Sequence, residues 1–458
     1  MLRFVFGRAG AGKTAALIRE IRENMLRGVG GNILLVPEQY SHEAERELCR
    51  VCGDSLSLYA EVLSFSGLAR SLETKRGGAA APWLDQGGRM LCMALALQSV
   101  GARLKVYGAA QRRPEMQAML LKAIDELKTA RIGAEALYAA AAACPDGLGD
   151  KLTDLALVLD AFDAVVANGR ADPADRLTML AEAIDKGGFD RDAKVFVDGF
   201  IDFTRQEQEV LCAMLRQGVQ LTVCLTLDDL YGENEIFALS RRAALALQDA
   251  AEELGQAVQV MKLESADDSA LRFFAEHMFD YTDAAFEGSA PVRLLRARSM
   301  SAECEQAAAL CLSLVRDGGC RWRDIAIAAR GFEDYRGTLE SVFRHYGVPL
   351  FTASRSDLMA KPLPAMIACA YEILEGGWAL DDMVSYLRTG LAGLTEKECD
   401  ELESYLFKWQ LRGSAWTRRG DWRQHPDGYG GEYTPEVEER LERINALRRR
   451  VAGPLRAF

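Results

Sequence analysis

Gly7-Arg8-Ala9-Gly10-Ala11-Gly12-Lys13-Thr14 decides the fold of this 458-residue chain. It follows Leu2-Arg3-Phe4-Val5-Phe6, an apolar run short enough for a buried strand. It precedes Ala15-Ala16-Leu17-Ile18-Arg19-Glu20-Ile21, which contains no helix breaker. Strand, G-x-x-x-x-G-K-T, helix is the phosphate-binding loop in the context that gives the motif its meaning. Gly7, Gly10 and Gly12 let the backbone curl until successive N–H groups converge, with Arg8, Ala9 and Ala11 between them supplying amides. The following helix N-terminus adds partial positive charge. On this reading Lys13 reaches the β/γ-phosphates of ATP and the Thr14 hydroxyl holds Mg²⁺.

Outward from the loop, strand and helix alternate. Ile33-Leu34-Leu35-Val36 reads as a second strand, ending in Pro37-Glu38-Gln39-Tyr40-Ser41, with Ser41 placed to cap the next helix. Leu56-Ser57-Leu58-Tyr59 reads as a short strand, and Val62-Leu63-Ser64-Phe65-Ser66 leads into another helix. Such a rhythm implies a parallel sheet with helices on its faces. Gln39, Ser41, Ser64 and Ser66 fall where strands open onto a ligand crevice, and equally where caps and turns need polar side chains.

From about residue 78 to 188 the pattern turns helical (84–100, 114–131, 150–168, 173–187). The sheet resumes at Ala193-Lys194-Val195-Phe196-Val197-Asp198-Gly199. An aspartate closing an apolar strand is common, but downstream of a phosphate loop it is also what Mg²⁺ coordination requires, and beside GRAGAGKT the metal reading is preferred. Leu221-Thr222-Val223-Cys224-Leu225 is a further strand, 236–253 a helix and 262–290 a looser acidic connector. A second rhythm begins with Val292-Arg293-Leu294-Leu295-Arg296-Ala297 and continues through helix 301–316, strand Ile325-Ala326-Ile327-Ala328 ending at Arg330, and helix 332–346. Beyond Pro362 the pattern is helical again, ending in a helix with Thr434 as N-cap and Pro435 at its first position.

The expected fold class is therefore α/β. Residues 1–77 and 189–290 form a phosphate-loop domain, 78–188 a helical insertion, 291–362 the start of a second α/β domain, and 363–458 a helical insertion cut short. The second sheet has too few strands to stand alone, which suggests a fragment.

Composition narrows the function. Hydrophobic content of 49% with 27% charged residues describes a soluble globular protein, and no apolar run approaches the ~18–20 residues of a membrane span. A first strand at residue 2 leaves no room for a signal peptide, so a cytoplasmic address is expected. Eleven Cys and four His include no metal-ligand set; Cys49 and Cys52 are an isolated pair. A net charge of −12 excludes a uniformly basic surface but not a local basic groove.

Several stretches together resemble a known family. GRAGAGKT, LLVPEQYSHEAERELC (34–49), VLSFSGLAR (62–70), VFVDGFIDFTRQEQEVL (195–211), SMSAECEQAA (299–308), RWRDIAIAARGFEDY (321–335) and HYGVPLF (345–351) run in the order seen in the AddB family. Its members are the AddB component of the bacterial AddAB (RexAB) helicase–deoxyribonuclease, within the UvrD-type superfamily 1 helicases. The resemblance covers essentially this whole chain, as the amino-terminal portion of such a component. It implies two RecA-like lobes with helical insertions, ATP and Mg²⁺ between the lobes, and a heterodimer with an AddA-type helicase–nuclease subunit. It also implies single-stranded DNA across the lobes, duplex DNA ends as substrate and double-strand-break processing for recombinational repair. The family's nuclease and iron–sulfur cluster belong to a C-terminal part outside this sequence, so none of the eleven Cys is assigned to the cluster.

Two departures stand out. UvrD-type motors have Asp-Glu where this chain has Asp198-Gly199, and that glutamate polarises the attacking water. The adenine-reading glutamine ahead of the first strand also has no room here. The expectation is an ATP-binding lobe with weak or absent turnover that holds DNA beside a partner motor. Glu207 and Glu209 are possible substitutes for the missing base, but read more readily as capping or surface residues. Arg330 resembles the helicase arginine that meets the γ-phosphate; a surface arginine is the alternative. Trp409, Trp416 and Trp422 interleave with Arg412, Arg418, Arg419 and Arg423, a mixture that suits single-stranded DNA or, slightly preferred, helix packing with Arg stems over Trp. Outside the family reading, two functions remain: a catalytically silent ATP-binding scaffold, and a nucleotide or small-molecule kinase on the same loop. Two lobes with insertions weigh against the kinase.

Overall fold

The computed structural model describes residues 1–53, 55–75, 83–108, 113–144, 147–167, 169–264, 269–279, 283–352 and 358–458. They divide into two compact units, Met1–Arg293 and Leu294–Phe458. The boundary expected at 77/78 lies outside the described residues.

In the first unit, β1 (Leu2–Gly7), β2 (Asn32–Leu35), β3 (Ala60–Leu63), β4 (Lys194–Val197), β5 (Gln220–Thr226) and β6 (Val258–Lys262) form one sheet. All its pairings are parallel, in the order β3-β2-β4-β5-β1-β6. Its helices are α1 (Lys13–Leu26), α2 (Ser41–Cys52), α3 (Phe65–Lys75), α4 (Gln86–Val100), α5 (Pro114–Thr129), α6 (Ala134–Ala143), α7 (Gly147–Ala167), α8 (Arg176–Ala183), α9 (Arg205–Arg216), α10 (Ala238–Glu253) and α11 (Ala270–His277).

The period of two along each strand assigns side chains to opposite faces. Val5, Leu34, Val36, Phe196 and Cys224 pack with Leu17, Ile18 and Ile21 of α1 and Ala44 and Leu48 of α2. Leu2, Phe4, Phe6, Ile33, Leu35, Val195, Val197 and Val223 pack on the other face with residues of α3, α8, α9 and α10. Both faces are therefore covered, which is why β1, β2, β4 and β5 each contain a continuous apolar run of three residues. α4 to α7 enclose a separate core centred on Met93, Leu97, Leu121, Ile124, Val158 and Phe162. It is pinned by Lys128, whose ammonium meets Asp163 (2.8 Å), Asp172 (3.0 Å) and Asp175 (2.7 Å). α8 belongs to the sheet core rather than to this helical one.

The second unit contains α12 (Met300–Arg316), α13 (Phe332–His345), α14 (Pro362–Glu375), α15 (Leu380–Arg388), α16 (Glu396–Trp409), α17 (Ser414–Thr417) and α18 (Pro435–Ala457). α12 and α13 pack through Cys304, Ala308, Leu339 and Phe343. Trp378, Leu402, Leu406, Trp416, Trp422, Ile444 and Val451 form the core of the rest. Thr434 caps α18 by accepting from Val437 N–H, with Pro435 in the first turn, as expected.

Several local expectations need correcting. Leu56–Leu58 is a 3₁₀ turn, and the strand begins at Ala60, the residue that aligns with Asn32 of β2. Ser41 is the first residue of α2 rather than its cap: the chain is already helical from Glu38, and the Ser41 hydroxyl donates back to Glu38 C=O (2.8 Å). Neither 292–297 nor 325–328 is a strand, and the described residues of the second unit contain none. A strand exists through its hydrogen-bonded neighbour, and these two apolar segments have no such neighbour; Leu294 is 98% exposed.

Two of the three tryptophans between 409 and 423 are packing residues, while Arg412, Arg418, Arg419 and Arg423 are exposed. Trp416 and Trp422 are fully buried and meet edge to face at 5.1 Å. The Arg448 guanidinium lies 5.0 Å from the Trp422 ring and donates to the carbonyls of Trp416, Arg418 and Gly420. These rings are unavailable for stacking on bases. Trp416→Ala is expected to cost about 3–5 kcal/mol, read as a lower urea midpoint with an unchanged m-value.

Candidate nucleotide-binding site

Gly7 ends β1 opposite Thr226 of β5. A side chain at Gly7 would place its Cβ 2.8 Å from both Ala11 Cβ and Leu263 O, so no larger residue fits. Gly10 and Gly12 both have φ of +80°, the left-handed conformation that L side chains avoid. Ala11 N–H closes a turn onto Arg8 C=O (3.2 Å), and α1 starts at Lys13. The loop is therefore curled, and its sequence accounts for each bend.

The Lys13 ammonium points back into the loop, donating to Gly7 C=O (2.8 Å) and Arg8 C=O (2.9 Å). Burial pulls its pKa below the ordinary value, with the Asp198 carboxylate partly opposing that shift. Val197 pairs with Val223, and Val5 with Cys224, so Asp198 stands level with Val5 and Cys224 across β5. From there Asp198 Oδ2 accepts a hydrogen bond from Thr14 Oγ1 at 2.6 Å. Asp198 is buried, and its N–H donates to Leu35 C=O (3.0 Å). Burial and this carboxylate together push the Tyr40 phenol up, and burial does the same for the Cys224 thiol. A hydroxyl and a carboxylate at this separation are hard oxygen donors suited to Mg²⁺.

Gly199 follows with φ of +82°, and a Cβ there would stand 3.2 Å from Pro37 Cδ. Glu207 is committed to a capping box with Thr204 (2.8 and 2.9 Å) and Glu209 to Arg216 (2.7 Å), so both have structural tasks. Ser64 and Ser66 hydroxyls meet at 3.0 Å and Ser66 donates to Glu38, while Gln39 is exposed. Arg330 belongs to the second unit, exposed in the turn before α13 and not at a strand end. No group of three metal-ligating side chains of the His/Cys/Asp/Glu type occurs among the described residues, and none of their helices is long and apolar enough to cross a membrane.

The family model "ADDB, N-terminal" matches residues 4–281, taking in the loop, most of β1 and the other five strands of the sheet. The chain belongs to the AddB N-terminal family. Among curated relatives, a protein of Desulforudis audaxviator is 33% identical, one of Pelotomaculum thermopropionicum 32% and one of Acetivibrio thermocellus 28%. Each is named as the B-type component of an ATP-dependent helicase/deoxyribonuclease, and each is matched over 100% of this chain. The chain spans only 41–42% of their length.

Besides α11, which lies within the stretch 262–290 read as a looser acidic connector, two features of the site escaped the sequence reading. One is β6, whose edge position leaves Gln259 to Lys262 exposed; only the V-Q-V alternation at 258–260 signals it. The other is Arg8, whose guanidinium leaves the loop to donate to Ala275 C=O (3.1 Å) and Glu276 C=O (3.3 Å) in α11.

Thr14→Val removes the donor to a buried carboxylate and is expected to destabilise the chain by about 1–3 kcal/mol in urea unfolding. Lys13 adds a pH signature. A cation with a lowered folded pKa penalises the fold below that pKa, and the penalty lifts as pH rises from the folded pKa toward the ordinary 10.5. The stability of the wild type relative to Lys13→Met should therefore rise with alkaline pH below 10.5, measured by parallel denaturant titrations.

Proposed function

We propose that this chain is the nucleotide-binding, amino-terminal part of a helicase–deoxyribonuclease component that acts with a partner motor on broken DNA ends. The observation that carries the reading is Thr14 against Asp198 at 2.6 Å, beside an ammonium already inside a glycine-curled loop. The names of the relatives support the assignment to such an enzyme complex.

Each residue has a defined task. The amides from Arg8 to Thr14 and the α1 N-terminus face the phosphates. Lys13 exchanges two loop carbonyls for β- and γ-phosphate oxygens, a stronger, charge-assisted pairing. Thr14 and Asp198 are the oxygens that would hold Mg²⁺, which neutralises phosphate charge when bound. No carboxylate follows Asp198 to orient water, since position 199 is glycine. The chain is thus built to bind ATP and to hydrolyse it slowly. A partner of the AddA type would supply the motor, and single-stranded DNA would cross the carboxyl edge of the sheet, where strand ends open.

Lys13→Ala should weaken Mg–ATP about 10- to 100-fold in calorimetric titration, and Asp198→Ala should abolish the advantage Mg²⁺ gives. Wild-type affinity in Lys13→Ala would end the reading. Gly199→Glu should not create an ATPase, because the left-handed backbone costs a side chain about 1–2 kcal/mol and its Cβ would crowd Pro37. Phosphate release with single-stranded DNA is the assay, and a gain of turnover would refute this account of the glycine.

A further inference from the structure

Residues 423–433, between the buried Trp422 and the N-cap of α18, fold around a histidine ring. Among the four histidines only His425 is buried, at 7% exposed. Both of its ring nitrogens face backbone groups with fixed roles. Asp427 N–H, which can only donate, points at Nδ1 (3.1 Å), and Glu432 C=O, which can only accept, stands 3.1 Å from Nε2. The ring is therefore the neutral tautomer with its proton on Nε2. The fit is close: a Cβ at Gly431 would lie 2.6 Å from Nε2 and 2.7 Å from Nδ1. We propose that His425 is a proton-operated latch: the loop 423–433 is closed on the neutral imidazole and opens when Nδ1 takes up a proton.

Donor geometry is the first argument. A proton on Nδ1 would confront the Asp427 N–H across 3.1 Å, donor against donor. That hydrogen bond must then break, and the close passage of Gly431 limits how far the ring can turn aside. The surrounding charges offer the protonated ring no new partner. Lys408 of α16 donates to Pro426 C=O (2.7 Å), and Arg440 of α18 holds Asp427 Oδ1 (2.9 Å), so the carboxylate nearest in sequence is already engaged. Glu432 meets the ring through its carbonyl. The Tyr433 ring stands edge-on at 5.2 Å, its phenol donating to Arg423 C=O (2.8 Å).

What the latch holds is the second argument. Trp409 Nε1 donates to His425 C=O (3.0 Å), and the Tyr429 ring meets Trp409 at 4.7 Å while itself 94% exposed. Opening the loop frees the indole N–H and separates this aromatic pair. The remaining anchors are the hydroxyls of Tyr405, on Gln424 C=O (2.8 Å), and of Tyr433, with the Lys408 ammonium. None of those groups ordinarily changes charge between about pH 5 and 8, whereas an imidazole does.

The test is hydrogen exchange, read by mass spectrometry, on the 458-residue chain at about pH 7.5 and about pH 5.5, either side of the ordinary imidazole pKa of about 6.5. Labelling times are scaled for the intrinsic pH dependence of exchange. Peptides covering 424–433 should exchange about fivefold or more faster at the lower pH, while those of α16 and α18 keep their protection. His425→Asn sets a carboxamide oxygen within reach of the Asp427 N–H, as in an Asx turn, and takes up no proton. Its loop should be equally protected at both pH values, and His425→Gln, also without a titrating group, repeats the comparison. Unchanged protection of the wild-type loop would overturn the proposal without recourse to any variant. Loss spread equally over α16 and α18, or the same loss in both variants as in wild type, would overturn it too. None of these outcomes bears on the nucleotide reading.

Discussion

The hydrogen bond from Thr14 to Asp198 joins residues 184 apart in sequence, and the first unit is arranged so that it forms. Asp198 is buried, and a buried polar group is costly unless hydrogen-bonded. Its oxygen has the Thr14 hydroxyl, and its N–H is taken by Leu35. Neither partner is available until β4 lies between β2 and β5. β1 and β2, although consecutive, do not pair, so the centre of the sheet closes only when the chain returns after α4 to α7. Completion of the fold and assembly of the site are one event, and it depends on non-local contacts that form slowly.

This dependence explains what was legible in the sequence. β1, β2, β4 and β5 announce themselves because burial on both faces leaves each a continuous apolar run, Phe4 to Phe6, Ile33 to Leu35, Val195 to Val197 and Val223 to Leu225. The loop is legible because glycine at positive φ, a lysine and a threonine have few other reasons to stand at that spacing after a strand. β6 is not legible, since an edge strand with an exposed face is defined by the β1 backbone it pairs with, not by its own apolar content. The same reasoning covers 292–297 and 325–328: their residues favour strands, but composition cannot supply a neighbour. The Leu56–Tyr59 error is one of register, because both 56–59 and 60–63 are apolar enough and only alignment with β2 chooses between them.

The glycine after Asp198 is more than the loss of a side chain. At φ +82°, with Pro37 against the position where a Cβ would go, the backbone after β4 has taken a path that disfavours glutamate. Pro37 belongs to the stretch that follows β2, so the exclusion is shared between two strand ends. A side chain at 199 would need Pro37 to give by a few tenths of an ångström and would sit on a left-handed backbone that costs about 1–2 kcal/mol.

The two cations of the loop divide the labour. Arg8 is spent on structure: its guanidinium meets two carbonyls at the negative end of α11 and the Asp228 carboxylate, where the helix dipole favours a cation. Lys13 is held only by carbonyls of the loop itself, neutral acceptors that a phosphate outcompetes. Burial already disfavours its charge, so an anion beside it would relieve that cost. Arg8 thus ties the loop to α11, while Lys13 closes the loop on itself.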